Sequence, residues 1–379
     1  MKKLLKIVLV ALLALALIGC SNNNKGGEEG QPTPEGGDKQ EEKVYKVALL
    51  VPFLGDQSYY DTMERGRVAV DAKYGDKVYT RTYEVGDTTD EATWMSAFEE
   101  VCEDGEYDLV IGCNGNYEAY LYASAEKYPN QLFLNVDTTN PQNLPNTYST
   151  YYATSDLGYV VAALSAAMTK TGVVGVVVGK DNQGMNQFIS GYVQCLADKG
   201  VKYVISYPDT FSDASKGYEV TNNMIEKGAD VIWGVAGGTG NGVIQACAEA
   251  REAGKDVWAI GVDQDQYAQF LESYPSWANA ILTSALKNSD VIIETCVDWL
   301  IEGTLGQKMN STEKWGIALN GVGLAENDYY KANCPQEVRD AVAATLKDVA
   351  DGKVAVYDAL EDANYNDNWP AIRDANIIN

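Results

Sequence analysis

The chain has 379 residues, with 29 Lys and Arg against 54 Asp and Glu, so its formal net charge at pH 7 is −25. An electrostatic field of that sign repels nucleic acid and anionic lipid headgroups, which argues against nucleic acid as a partner. Histidine is absent, which removes the most common general base, the usual partner of a catalytic Ser or Cys, and the commonest transition-metal ligand. We therefore expect a protein that is not an enzyme and that uses no metal and no cofactor.

The amino terminus has the pattern of an export signal. Three lysines precede or flank the start of an apolar run over residues 7–18, which is shorter than the roughly 20 apolar residues that a membrane-spanning helix needs. A Leu-Ile-Gly sequence stands directly before Cys20, which is the lipobox arrangement in which the cysteine thiol is acylated. We predict a lipoprotein signal peptide over residues 1–19 and a lipid anchor on Cys20 at the extracytoplasmic face of the cell membrane. An uncleaved anchor helix is the alternative.

A polar linker follows the predicted anchor. Residues 21–42 are rich in Gly, Asn, Gln and Glu and contain no apolar side chain. Such a segment cannot bury enough surface to offset the entropy of ordering. We predict a flexible linker over residues 20–43, after which the folded part begins at about residue 44.

From residue 44 onward, β-branched apolar runs alternate with longer helical patterns, which is typical of parallel α/β layering. The first run (VYKVALLVP) shows no polar alternation, as expected for a strand whose sheet has helices on both faces. In the first half we predict strands and helices in the order β-α-β-α-β, at residues 44–52, 58–73, 77–84, 89–103 and 109–113. The same order recurs at residues 173–178, 185–199, 202–207, 214–227 and 231–235.

Two halves of like topology predict two similar lobes rather than one long sheet. The predicted fold class is α/β, with each lobe a parallel sheet flanked by helices and a ligand cleft between the lobes. The predicted boundaries are 44–153 for the first lobe, with 264–325 returning to it, and 154–263 for the second lobe. Residues 326–379 form a C-terminal segment that the sequence assigns to neither lobe.

Polar and aromatic residues gather in the loops that follow the predicted strands. Each loop alone is equally well explained as a turn or a helix cap, and Ser58 is expected to cap its helix. Ligands of open α/β sheets bind beyond the carboxyl ends of the strands, so the convergence of several such loops favours a ligand site. The loops cover residues 53–60, 112–117, 181–186, 209–213 and 236–242.

The last of these loops is a glycine run at a predicted strand-to-helix junction. Glycine there lets backbone N–H groups approach a ligand oxygen at the positive end of the helix. The run contains neither Gly-Lys-Ser/Thr nor G-x-G-x-x-G, so nucleotide hydrolysis is not indicated. Close packing of the helix against its strand is the alternative explanation.

The six cysteines after Cys20 show no CxxC pair and no regular spacing, so neither a disulfide framework nor a zinc site is indicated. Several stand among apolar neighbours, where a buried free thiol is expected. They are Cys102, Cys113, Cys195, Cys247, Cys296 and Cys334.

Four segments resemble the basic membrane protein family. They are AAMTKTGVVG at residues 166–175, AGGTGNGVI at 236–244, WAIGVDQDQ at 258–266 and LTSALK at 282–287. Members of this family are exported substrate-binding lipoproteins of ABC importers, and the best understood of them bind purine nucleosides. The resemblance extends over residues 44–356. It implies a two-lobed type I periplasmic-binding-protein fold, a small-molecule ligand in the cleft, ABC permease and ATPase subunits as partners, and a monomer.

The resemblance also assigns roles to individual residues. Tyr59 and Phe211 are expected to stack on the two faces of the nucleoside base, with Tyr60 as the alternative to Tyr59. Asn114 or Asn116 is expected to supply an amide to the base.

The ribose is assigned to a second group of residues. Asp263 is expected to accept both ribose hydroxyls, Lys287 to be a further ribose contact, and the backbone at Gly238 to donate nearby. Asp137 is a further candidate for ligand binding. For Asp263, a cap after its strand is the alternative role.

One departure from the family lies after the first strand. Nucleoside-binding members carry an aspartate there that recognises the purine edge, whereas this chain has Val51-Pro52-Phe53. We therefore expect the base to be recognised differently, and a sugar or another ribosylated ligand on the same scaffold is the alternative. A surface lipoprotein whose binding serves signalling or adhesion is a further alternative, since the sequence indicates attachment but not import.

Overall fold

The alternating strands and helices form two six-stranded sheets in a computed structural model of the protein, which describes residues 43–378. The predicted signal peptide, Cys20 and the linker as far as residue 42 lie outside the described residues. Within the described range, no helix is long and apolar enough to cross a membrane.

The first sheet is wholly parallel. It contains β1 (Tyr45–Val51), β2 (Val78–Glu84), β3 (Leu109–Cys113), β4 (Leu132–Val136), β5 (Thr147–Tyr152) and β11 (Ser311–Trp315). The strand order is β11-β5-β4-β3-β1-β2.

The second sheet repeats this arrangement. It contains β6 (Val173–Val178), β7 (Lys202–Ser206), β8 (Val231–Val235), β9 (Trp258–Asp263), β10 (Ile281–Lys287) and β12 (Val322–Leu324). The order is β12-β10-β9-β8-β6-β7, and all neighbours are parallel except the edge pair of β10 and β12.

Helices pack on both sheets. Those of the first lobe are α1 (Tyr59–Tyr74), α2 (Glu91–Cys102), α3 (Asn114–Lys127) and α10 (Ser289–Ile301). Those of the second lobe are α4 (Thr154–Met168), α5 (Gln183–Lys199), α6 (Ala214–Glu226), α7 (Thr239–Glu252), α8 (Gln266–Phe270), α9 (Pro275–Ala278), α11 (Asp328–Asn333), α12 (Gln336–Ala350) and α13 (Tyr365–Asp374).

Burial explains the continuous apolar sequence of the central strands. Every residue of β3 and of β8 is buried, because helices cover both faces of each sheet. The predicted α/β fold of two parallel-dominated sheets flanked by helices is confirmed. Each of the ten elements located from the sequence is present, with bounds that differ from the predicted ones by at most two residues. The six cysteines of the described range are buried free thiols, as predicted.

The assignment of residues 264–325 to the first lobe differs from the structure. β10 and β12 complete the second sheet, whereas α10 and β11 lie with the first lobe. β10 pairs with β9, the strand that precedes it along the chain, because consecutive strands usually lie side by side. The C-terminal helices α11, α12 and α13 pack on β10, α4 and α5, so they belong to the second lobe.

Within the described residues, the chain crosses between the lobes three times, at Ala153, at Asn288 and over residues 316–321. The backbone N–H of Ala153 donates to the carbonyl of Trp315 at 3.1 Å, and that of Asn288 donates to the carbonyl of Gly321 at 2.9 Å. The first and second crossings are therefore each hydrogen-bonded to one end of the third. We expect these linked crossings to act as the hinge between the lobes.

Candidate functional site

A cavity of about 470 Å³ lies between the lobes and is lined by residues of both. All eight residues that the sequence assigns to ligand binding line it, four from each lobe. Tyr59, Asn114, Asn116 and Asp137 come from the first lobe, and Phe211, Gly238, Asp263 and Lys287 from the second. The structure thus brings the whole predicted set together, at the ends of strands or in the segments that follow them.

The cavity lining carries an ion pair between a buried lysine and a half-buried aspartate. Lys287, at the end of β10, places its Nζ 2.5 Å from Oδ2 of Asp137, which follows β4. The Lys287 side chain is 6 % exposed. Its ammonium also lies 4.6 Å from the ring centroid of Tyr59, 4.8 Å from that of Tyr152 and 5.1 Å from that of Phe188. Three electron-rich rings therefore hold the charge in place together with one carboxylate.

Asp263 is the second carboxylate at this centre. It is the last residue of β9, is 6 % exposed, and accepts a hydrogen bond on Oδ2 from the hydroxyl of Ser58, which belongs to the first lobe. Burial raises the pKa of Asp263 above its ordinary value, while the Lys287 ammonium and the Ser58 hydroxyl oppose that shift. The hydrogen bond between Ser58 and Asp263 joins the two lobes across the cleft.

The expected capping role of Ser58 is wrong. Its side chain makes no cap hydrogen bond to α1, because the hydroxyl is turned toward the other lobe. The carboxylate of Asp56 binds the free N–H groups at the start of the helix instead. Oδ1 accepts from the N–H of Ser58 at 3.0 Å and of Asp61 at 3.2 Å, and Oδ2 accepts from the N–H of Tyr60 at 3.0 Å.

Asp56 also lines the cavity and is not among the ligand-binding residues predicted from the sequence. The residue is 7 % exposed, and burial raises its pKa to about 6 although the backbone N–H groups of Tyr60 and Ser58 oppose the shift. In the sequence, the one feature that could have indicated Asp56 is its position two residues before the start of the predicted helix. That position is common for a helix cap, so it does not by itself indicate a cavity.

Two neighbouring tyrosines line the first-lobe wall. The rings of Tyr59 and Tyr60 are 5.4 Å apart in an edge-to-face arrangement, and Phe53 packs on Tyr60 in the same way at 5.3 Å. Asn114 holds Tyr60, because its Nδ2 donates to the phenolic oxygen at 3.0 Å. Both tyrosines therefore face the cavity, with Tyr59 next to the charged centre.

The two candidate asparagines differ in their surroundings. Asn114 is half-buried, has a backbone φ of 42°, and accepts the N–H of Asn116 on its Oδ1 at 2.9 Å. Asparagine tolerates that left-handed conformation better than most residues. Asn116 is exposed and borders the cavity with its side chain at the surface.

Glycines make room for Phe211 on the second-lobe wall. A Cβ at Gly179 would lie 2.2 Å from Cε1 of the Phe211 ring, and a Cβ at Gly238 would lie 3.2 Å from the Phe211 carbonyl oxygen. A side chain at Gly179 would displace the Phe211 ring, whereas one at Gly238 would require the Phe211 backbone to shift by a few tenths of an ångström. Gly242, by contrast, serves helix packing, since a Cβ there would lie 1.8 Å from the carbonyl oxygen of Ala214 at the start of α6. Within the glycine run, Gly242 thus serves the packing of α7 on α6, and the approach of backbone N–H groups to a ligand oxygen stays a prediction.

The lining is acidic on balance. Of its described residues, Asp56, Asp137 and Asp263 are acids and Lys287 is the one base. Across residues 43–378, no group of three or more Cys, Asp or Glu side chains is arranged to hold a metal ion. The arrangement can therefore bind a neutral ligand through hydrogen bonds and aromatic contacts.

Comparison with known protein families gives one match over most of the chain. Residues 44–356 match the model of a family described as "ABC transporter substrate-binding protein PnrA-like". The matched range contains all the elements from β1 to α12.

Individual relatives are similar over nearly their whole length. The chain is 26 % identical over 367 residues to the ABC transporter nucleoside-binding protein BmpA of Lactococcus lactis, covering 94 % of this chain and 99 % of that protein. It is 25 % identical over 342 residues to Basic membrane protein D of Borreliella burgdorferi, covering 87 % and 89 %. A crystal structure of an ABC transporter solute-binding protein from Aeropyrum pernix superposes with a TM-score of 0.71 at 21 % identity, covering 88 % and 98 %, which establishes a shared fold.

Proposed function

Since this chain belongs to the family of PnrA-like ABC transporter substrate-binding proteins, we propose that it binds a ribonucleoside, with a purine base, between its two lobes. A lipid anchor on Cys20 would hold the protein at the extracytoplasmic face of the cell membrane, where it delivers the nucleoside to the permease and ATPase subunits of an importer. The nucleoside-binding name of the Lactococcus lactis relative supports this ligand class.

The observation that carries the proposal is the charged centre formed by Asp263, Lys287 and Asp137. A ribose has two adjacent hydroxyls, each of which donates and accepts a hydrogen bond. A buried carboxylate accepts from both of them, and an ammonium next to it donates to one of their oxygens. Ser58 already binds one oxygen of Asp263, which fixes the orientation of the carboxylate before a ligand arrives.

Aromatic side chains supply the site for the base. Tyr59 and Phe211 line opposite lobes of the cavity. A purine has two apolar, polarisable faces, so two rings from different lobes can enclose it when the cleft closes. Phe53, Tyr60 and Asn114 line the part of the first lobe that follows β1 and β3, together with the carboxylate of Asp56.

The charge of the cavity lining favours binding of a nucleoside over binding of a nucleotide. Three acids and one base disfavour a phosphate group, which carries negative charge at neutral pH. We therefore propose a nucleoside and not its phosphate ester as the ligand.

Isothermal titration calorimetry on the purified protein tests the proposal, with inosine, guanosine, adenosine and uridine, their 5′-monophosphates, and D-ribose as ligands. A purine ribonucleoside should bind with the highest affinity, and its 5′-monophosphate at least about tenfold more weakly because of like-charge repulsion. Tighter binding of D-ribose than of every nucleoside would move the function to sugar transport. Equal binding of nucleoside and monophosphate would contradict the argument from charge.

A further inference from the structure

Part of the cavity lining comes from a segment near the carboxyl terminus that does not follow a strand. Residues 355–362, which we call the strap, have no helix or strand and lie between α12 and α13. Leu360 of the strap lines the cavity and is half-buried. The strap passes beyond residue 356, where the match to the family model ends.

A polar stripe on α5 binds the backbone of the strap. Gln194 donates its Nε2 to the carbonyl of Ala355 at 3.0 Å and accepts the N–H of Tyr357 on its Oε1 at 2.7 Å. Ser190 donates its hydroxyl to the carbonyl of Tyr357 at 2.8 Å. Gln183 donates its Nε2 to the carbonyl of Ala359 at 2.8 Å. These α5 side chains are four, seven or eleven residues apart, so they share one face of the helix.

The strap is also bound to the first lobe. Nζ of Lys314, in β11, lies 2.7 Å from Oδ2 of Asp358 and 2.8 Å from Oε1 of Glu361. The hydroxyl of Tyr151, in β5, donates to the same Oε1 of Glu361 at 3.2 Å. The side chain of Asp358 is 8 % exposed and that of Lys314 is 30 % exposed, so solvent screens this ion pair in part.

These contacts fix Leu360 from both sides. Glu361, the next residue along the chain, is held by Lys314 of the first lobe. Asp358 is shared between the lobes, because its Oδ2 is bound by Lys314 and also accepts from Ser155 and Gln187 of the second lobe at 3.1 Å each. The backbone carbonyls of residues 359 and 360 are held by Gln183 of the second lobe at 2.8 and 3.3 Å. Leu360 cannot leave the cavity without loss of some of these polar contacts, and the strap borders the cavity next to the start of α5.

We propose that Leu360 is a specificity-determining residue of the ligand site and that Lys314 is a positioning residue that holds it there through the strap. The inference rests on the proposed function only in the choice of ligand class. In this proposal the isobutyl side chain of Leu360 contacts an apolar part of the ligand and limits the size of the ligand substituent that fits beside it.

The test uses Leu360→Ala, Leu360→Trp and a control, Leu346→Ala. Leu346 is a half-buried leucine of α12 that does not line the cavity. The four common ribonucleosides, inosine and D-ribose are titrated into the wild type, and the probe that binds best is then titrated into each variant. Leu360→Ala should weaken its binding about 5- to 20-fold, Leu360→Trp should weaken it at least as much, and Leu346→Ala should leave it within twofold.

Lys314 is tested with the same probe. Lys314→Met should weaken binding and raise the dissociation rate, whereas Lys314→Arg should restore both, because it keeps the charge that binds Asp358 and Glu361. Affinities within twofold of the wild type for both Leu360 variants would overturn the role of Leu360, and the same result for Lys314→Met would overturn the role of the strap. Best binding of D-ribose would overturn the nucleoside proposal alone, since the variants then test Leu360 with the sugar.

Discussion

Asp137 and Asp263 stand at equivalent positions in the two lobes, each at the carboxyl end of the fourth strand of its lobe, and both have a backbone φ of 67°. Aspartate adopts this left-handed conformation more readily than most residues, so the repeat of the fold repeats the local backbone as well. Their partners differ. Asp137 is paired with the ammonium of Lys287, whereas Asp263 is bound by the neutral hydroxyl of Ser58, so Asp263 has the greater capacity to accept ligand hydroxyls.

The first prediction follows from this difference. Asp263 should give the site a preference for a ribonucleoside over its 2′-deoxy form of at least about tenfold, because a hydrogen bond from a ligand hydroxyl to a buried carboxylate is lost. Asp263→Ala should abolish the preference and not merely lower both affinities together. Calorimetry with guanosine and 2′-deoxyguanosine on both proteins measures it.

Asp104→Ala is the control for this comparison, since Asp104 is exposed and lies outside the cavity. It should keep the wild-type preference. Equal affinity of the wild type for the ribo and deoxy forms would leave Asp263 as a structural residue at the end of its strand.

The second prediction concerns the aromatic walls. Phe211→Ala should weaken nucleoside binding by about 1–3 kcal/mol, the usual value for a base stacked on one ring, and Tyr59→Ala should do the same. Tyr60→Ala separates the two neighbouring tyrosines, because Tyr60 is also held by Asn114. Tyr79→Ala, which removes an exposed ring outside the cavity, is the control. A loss with Tyr60→Ala and none with Tyr59→Ala would assign the first-lobe stacking to Tyr60.

The third prediction uses the pKa of Asp56, which burial raises from 3.8 to about 6. The folded protein keeps this proton up to about pH 6, whereas the unfolded chain releases it near pH 4. The free energy of unfolding that Asp56 contributes should therefore fall as the pH rises from 4 to 6, by up to about 3 kcal/mol, and stay constant above that range.

Urea denaturation of the wild type and of Asp56→Asn at pH 4, 5, 6 and 7 measures this effect. The difference between the two proteins should change with pH in the stated direction, because asparagine does not titrate. Asp76→Asn, at an exposed position, should run parallel to the wild type. A wild-type curve parallel to that of Asp56→Asn would show that Asp56 titrates normally.

The fourth prediction concerns closure of the cleft. A ligand that contacts both lobes should hold them together, so small-angle scattering should show a smaller radius of gyration at saturating nucleoside. Ser58→Ala removes the hydrogen bond to Asp263 and should raise the nucleoside concentration needed for half-maximal compaction roughly tenfold. The exposed Ser96→Ala is the control. An unchanged radius of gyration at saturation would contradict closure.

Local sequence patterns were sufficient to locate the strands along the chain, but they did not determine which strands pair with each other in the sheets. β6 was predicted with both bounds correct because VVGVVV is a continuous apolar run, which a doubly covered sheet requires. β10 was assigned to the wrong lobe because its sequence fits either sheet, and its place depends on pairing with β9.

The residues of the site also fall into those that could be predicted from the sequence and those that could not. Asp263 and Lys287 were found through a family resemblance, since each is an ordinary residue at the end of a strand when taken alone. Asp56 was missed because an acid near a helix start is expected at the surface, whereas this one is 7 % exposed. Leu360 was missed because its neighbours on α5 lie more than 160 residues away along the chain.

The position of Lys287 beside the hinge determines the order in which a ligand meets the site. Lys287 is the last residue of β10, and the chain crosses between the lobes at the next residue, Asn288. When two bodies rotate about an axis, atoms close to the axis travel the shortest distance. We therefore expect closure of the cleft to displace the ammonium less than it displaces the outer parts of the lobes. An entering ligand would then bind Lys287 first, and closure would add the outer contacts afterwards, so that capture of the ligand precedes its enclosure.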